Sequence, residues 1–177
     1  MLSRRAALLV PGALLSLCVP QVALAAASRE LFTLARNTNA NVVKYAVRTA
    51  KDGRLDAQTP IEAYWLMLAE NGHREELTWT ERQLAYGFSV SAQTAESCVL
   101  HLSACSDRAL RVRAVDGSFR AELKIAQQLA FLQRVYVHAE GALLPSVRYV
   151  EISGVTAAGQ RISERIVPRA ARRVSRF

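Results

Sequence analysis

Apolar and polar residues alternate along most of this chain with a period of two, the pattern of strands with one buried and one wet face. Leu110, Val112 and Ala114 alternate with Arg111 and Arg113, Asp116-Gly117 follows, and Phe119, Ala121, Leu123 and Ile125 then alternate with Arg120, Glu122 and Lys124. An Asp-Gly pair between two such runs predicts a hairpin, because both central residues of the tight two-residue turn need positive φ. Asn71-Gly72, after the apolar run 63–68, predicts a second hairpin turn, and Asp52-Gly53, after 42–47, a third turn. Residues 129–138, 147–153 and 161–167 read as further strands, with Gly159 in the turn between the last two. Residues 88–91 and 98–102 read as shorter ones.

One segment departs from this period. Thr78-Trp79-Thr80-Glu81 has the spacing of a capping box, in which the Thr side chain and the Glu side chain satisfy each other's backbone amides. A short helix over 79–86 follows, and Gly87 ends it. About eight strands with one short helix predict an all-β fold, an antiparallel sandwich or a small barrel. A membrane barrel of eight strands also suits the length, but the arginines of 169–176 do not make a lipid-facing closing strand.

The first 27 residues break the pattern and read as a secretory signal peptide. Arg4 and Arg5 form a positive start, residues 6–19 an apolar run too short and too interrupted by Pro11-Gly12 for a spanning helix, and Ala25 or Ala27 the small residue before cleavage. A Sec-type signal fits better than a twin-arginine one, since Ala7 stands where an aromatic is usual. Leu17 before Cys18 is too bulky for a lipobox. The expected organisation is a signal peptide at 1–27, one β-rich domain at 28–168 and a basic tail at 169–177, with a periplasmic or secreted address and no membrane span after cleavage.

Charge refines this picture. The whole chain of 177 residues carries a formal net charge of +8. Residues 161–177 hold six arginines against Glu164 alone, so the body is close to neutral and the basicity belongs to the end. Arg169, Arg172, Arg173 and Arg176 suit an acidic envelope surface, against the plainer reading of a solvated end. An exported chain is not expected to meet nucleic acid. Cys98 and Cys105 remain after cleavage, and an oxidising compartment allows them to pair, although spacing alone does not decide it.

Three stretches carry a resemblance as a set: Arg36-Asn37-Thr38-Asn39-Ala40-Asn41-Val42-Val43-Lys44-Tyr45; Pro60-Ile61-Glu62-Ala63-Tyr64-Trp65 with Arg82-Gln83-Leu84-Ala85-Tyr86-Gly87; and Val147-Arg148-Tyr149-Val150-Glu151-Ile152-Ser153-Gly154. In order and spacing they resemble the bacterial family catalogued as domain of unknown function 4833, from about Leu31 to Pro168. The resemblance implies an exported β-rich domain and no assigned activity. The cysteines and the basic tail are not part of it.

Candidate chemistry is sparse. Asn37, Asn39 and Asn41 fall on one face if their segment is a strand, offering amides to a polar ligand; the alternative is a loop held by Asx turns. If Arg36, Tyr45, Tyr64, Trp65, Arg82, Tyr86 and Glu151 converge beside them, they make an aromatic-walled pocket for a small polar or anionic ligand. The competing expectation makes the aromatic residues core and pairs Arg82 with Glu151. His73, His101 and His138 show no metal spacing, so no metal or cofactor is expected, and no nucleophile elbow or phosphate loop occurs. The chain reads as a binding module. A structural envelope protein docking through its tail is the second reading, and a hydrolase with an unrecognised site the third.

Overall fold

A computed structural model describes residues 29–103, 105–141 and 146–168. The expected signal peptide and the basic tail lie outside the described residues. Eleven strands run β1 (Glu30–Arg36), β2 (Asn39–Val47), β3 (Ile61–Met67), β4 (His73–Glu76), β5 (Phe88–Ser91), β6 (Ser97–Leu102), β7 (Cys105–Val115), β8 (Ser118–Ile125), β9 (Gln128–Glu140), β10 (Ser146–Thr156) and β11 (Arg161–Ile166). One helical segment interrupts them, a turn of α-helix α1 (Trp79–Glu81) that widens into a π-helical turn over Arg82–Tyr86. Among the described residues no helix is long and apolar enough to cross a membrane.

All eleven strands belong to one sheet that branches at β9. Residues 128–131 of β9 pair antiparallel with β8, and residues 134–137 pair in parallel with β1. Ala130 and Phe131 pair at once with β8 and β10, and Val135 to Val137 at once with β1 and β10. So β8 and β1 follow one another along the same edge of β9, and β10 occupies the other. From that shared edge two meanders depart, β1-β2-β3-β4 and β8-β7-β6-β5. They meet again where Leu55 N–H donates to the Ala95 carbonyl and Gln93 reaches the Asp56 carbonyl. The resulting core is continuous, from Phe32, Val43 and Tyr45 to Leu100, Val112 and Ile125.

The expectation of an antiparallel sandwich or small barrel of about eight strands is therefore corrected to an open, mixed sheet of eleven. The parallel β1–β9 pairing is the reason it is mixed. It is open because β11 has a backbone partner in β10 alone. Across the remaining gap β11 is held by side chains. Arg108 of β7 donates to both carboxylate oxygens of Glu164, Nη2 to Oε1 at 2.7 Å and Nη1 to Oε2 at 2.9 Å. The Ala126 amide, in the turn between β8 and β9, donates to Oε2 of the same carboxylate at 2.9 Å. These hydrogen bonds, Arg108 first, hold the Glu164 carboxyl down at about 2 against its partial burial.

Candidate functional site

The capping box forms as its spacing requires. Glu81 Oε2 accepts from the Thr78 amide and hydroxyl, each at 2.8 Å, and Thr78 Oγ1 accepts from the Glu81 amide. The other oxygen of Glu81 accepts from Trp65 Nε1 at 3.0 Å, which ties the helical turn to β3. Burial pushes this carboxyl up, but the hydrogen bonds from Thr78 and Trp65 outweigh it and leave it below the usual range. Gly87 follows because a Cβ there would stand 1.8 Å from the Arg82 carbonyl oxygen.

Four of the expected site residues converge on this turn. Trp65 and Tyr86 meet edge to face with centroids 5.0 Å apart, the Arg36 guanidinium lies over the Tyr86 ring at 4.8 Å, and the Tyr45 hydroxyl donates to the Tyr86 carbonyl at 2.9 Å. Tyr45 also stacks on Phe32 at 4.5 Å and meets the edge of Phe88. Burial pushes the Tyr45 phenol well above its ordinary value. Tyr45, Trp65 and Tyr86 are all buried, and Arg36 Nε is buried with no hydrogen-bond acceptor. The group is a packed junction between the two meanders. Beside it a shallow depression of about 480 Å³ is bordered by Arg82, Tyr86, His101 and Ser103.

Of the other expected members, Arg82 alone borders this depression. Tyr64 is the neighbour of Trp65 on β3 and so faces the opposite side of the sheet, under the Arg74 guanidinium at 3.7 Å. Arg82 donates through Nε to the Leu77 carbonyl and lies 3.9 Å from Glu76. Glu151 accepts from Arg165 on β11 at 3.2 Å, so no Arg82–Glu151 pair exists. The asparagines serve the backbone. Asn37 exchanges two hydrogen bonds with the Ala139 main chain and continues the β1–β9 ladder past its last residue pair. Asn39 accepts from the Asn41 amide, and Asn41 accepts from the Leu68 amide. Cys98 carries a buried free thiol, pushed up to about 11 by burial. Cys98 faces Val112 whereas Cys105 faces Leu102, four residues along β6. That is ~13 Å of strand, beyond the ~7 Å a disulfide spans. Arg169, Arg172, Arg173 and Arg176 lie outside the described residues.

The site that sequence reasoning missed lies on the inner face of the branched sheet. A cavity of about 610 Å³ opens between β1, β6 to β10 and the end of β11. Leu34, Leu110, Leu132, Val137, Ile152 and Ile166 typify its wall, Cys105 and Pro168 sit on it, and Arg108 is its one charged residue among those described. The alternating apolar residues of β7, β9 and β10 were legible as core. That some of them border a void depends on β10 and β11 standing off from β6 to β8, which no local pattern encodes. The volume falls within the range of small-molecule pockets, about 300–1,000 Å³. Its wall is mostly apolar, which favours an apolar occupant.

A model of the family described as a domain of unknown function, DUF4833, matches residues 32–165. No curated protein and no solved structure matches the chain.

Proposed function

The chain belongs to this family of unknown function, and from its geometry we propose that it is an exported binding protein that takes up an apolar, elongated small molecule in the cell envelope without transforming it. The observation that carries the reading is the apolar cavity between the β6–β8 face and the β9–β11 face. Its walls come from strands rather than loops, so it is pre-formed, and a ligand entering it would lose little affinity to protein ordering. Leu34, Leu110, Leu132, Val137 and Ile152 are all buried side chains that would nevertheless gain contacts from a bound hydrocarbon. The signal peptide expected over residues 1–27 supports an envelope address, where apolar molecules have to be shielded from water in transit between membranes. The cavity is preferred to a polar or anionic site at Arg36 and Trp65 because Trp65 and Tyr86 pack edge to face with Arg36 over the Tyr86 ring.

The test uses the chain from residue 28 and a neutral fluorescent apolar probe, N-phenyl-1-naphthylamine. Saturable one-to-one binding in the micromolar range is expected, together with at least a tenfold loss in Val137→Phe, which fills the cavity. The melting temperature is a second readout. A phenyl group added to a real void leaves stability equal or higher, whereas overpacking a solid core costs about 1–3 kcal/mol. Absence of saturable probe binding, or binding that Val137→Phe leaves unchanged, would overturn the reading.

A further inference from the structure

Apart from Arg108 and the Cys105 thiol, every side chain described on the wall of the apolar cavity is aliphatic, from Leu34 and Leu102 to Val167 and Pro168. A ligand with an anionic head therefore has one described side chain to address there, Arg108. That guanidinium is already committed. Its two terminal nitrogens donate to the two oxygens of Glu164 at 2.7 and 2.9 Å, the fork-to-fork geometry in which it would otherwise hold a ligand carboxylate. Nη1 also points to the Lys124 carbonyl at 3.4 Å. Glu164 is fixed in turn by the Ala126 amide at 2.9 Å, and it is not itself on the cavity wall. Both partners of the pair are largely buried, with side chains 28% and 25% exposed. The wall thus presents a cation whose charge is cancelled and whose fork is taken.

We infer that Glu164 determines the specificity of this cavity: by occupying Arg108 it makes the site select uncharged aliphatic molecules, such as long-chain alcohols and esters, and turn away free fatty acids. This inference rests on the reading of the cavity as a binding site. An ionised head entering the cavity gives up its water. With Arg108 committed, no side chain described on the wall offsets that loss, and the Glu164 charge beside Arg108 repels a second carboxylate. A ligand carboxylate would have to displace Glu164, which is tethered to the chain and loses no translational freedom in binding. The Glu164 carboxyl, held at about 2, also stays ionised wherever a fatty acid is ionised. The same geometry makes the exclusion removable. In Glu164→Gln, Arg108 loses the carboxylate that cancels its charge, and the carboxylate of a ligand can take that place.

The experiment displaces N-phenyl-1-naphthylamine from the chain beginning at residue 28 with 1-decanol, decanoate and decylammonium, at about pH 8, where the last two are ionised. On the wild type, decanol is expected to bind at least about tenfold more tightly than either ion. Glu164→Gln is expected to raise the ratio of decanoate to decanol affinity about tenfold, and Arg108→Gln/Glu164→Gln to return it to the wild-type value. Circular dichroism checks that each variant folds, and the three-ligand comparison on the wild type tests the inference without any variant. Decanoate held by the wild type as tightly as decanol, or about tenfold more tightly than decylammonium, would show Arg108 open to a ligand head and overturn the inference, leaving the cavity standing. An unchanged ratio in Glu164→Gln would overturn it as well. So would a rise that the double variant keeps, since the gain would then come from a loosened β11. Failure of the probe to bind, or of all three ligands to displace it, would remove the cavity reading itself.

Discussion

Glu164 ties β11 to β7 and to the β8–β9 turn through its side chain. It lies on an otherwise ordinary alternating strand, and nothing in Arg161 to Ile166 distinguishes it from a solvated charge. Its three hydrogen bonds come from two residues, Arg108 and Ala126. Their hydrogen bonds hold its carboxyl at about 2, below an ordinary carboxylate. A lowered pKa in the folded state means stability that is present in full above the unfolded pKa, about 4.3, and is lost as pH falls through that value toward 2. Glu164→Gln should therefore destabilise the protein by about 2 kcal/mol at neutral pH. The gap between variant and wild type should close progressively below pH 4. Urea titrations at pH 7, 4 and 2.5 measure it, and a gap that is constant across the three would mean that the carboxylate charge contributes nothing. Tyr45 and Cys98, whose burial pushes them in the opposite sense, stay neutral over this range and do not confuse the profile.

At the scale of elements, turn chemistry decides what the sequence discloses. Asp116-Gly117 and Asn71-Gly72 have positive φ at both residues of each pair, as their residue types announce. The turn between β8 and β9 has the same geometry, with Ala126 at φ 47° and Gln127 at φ 67°, but neither residue type signals it. Ala126→Asn/Gln127→Gly should relieve that strain and stabilise by about 1 kcal/mol, read as a higher denaturation midpoint. An unchanged midpoint would show the turn to be held without strain by the Glu164 clasp. The two strands hidden from the sequence were hidden for opposite reasons. Between β2 and β9, β1 buries both faces, so its period of two disappears. All of His73 to Glu76 in β4 is exposed, so it never had an apolar face. The site shows the same division. Thr78 and Glu81 are joined by a local motif that could be read in advance, whereas Trp65 reaches Glu81, and Arg36 meets Tyr86, only because the sheet brings β1, β3 and the helical turn together. Gly154 is a further constraint of this order. It sits at a register shift on β10, where an added Cβ would lie 2.3 Å from the Phe131 carbonyl oxygen. Gly154→Ala should separate β10 from β9 locally and cost more than 2 kcal/mol, with faster amide exchange confined to that pairing.

For the whole molecule, the question is whether two meanders sharing one strand behave as one cooperative unit. The β1–β9 contact joins residues about a hundred positions apart, at Thr33 with Arg134 through Arg36 with Val137. Closing so long a loop is entropically costly and rewarded late, so this pairing should follow formation of the β5–β8 meander and limit the folding rate. Phe32 already stacks on Tyr45 across the β1–β2 ladder, and Tyr45 in turn meets Phe88 of β5, so the core of one meander rests on the other. Phe32 is 1% exposed, and Phe32→Ala should cost about 3–5 kcal/mol through lost burial and the cavity left behind. If the molecule is one unit, that loss appears equally in Trp65 fluorescence, which reports the first meander, and in amide exchange of Leu100, Val112 and Ala121 in the second. Accelerated exchange confined to β1 to β4 would instead show two units of separate stability, with the Leu34 wall of the apolar cavity on the looser one. The shared aromatic junction, with Tyr45 donating across to the Tyr86 main chain, favours the first outcome, and with it a cavity whose opening is coupled to the stability of the entire sheet.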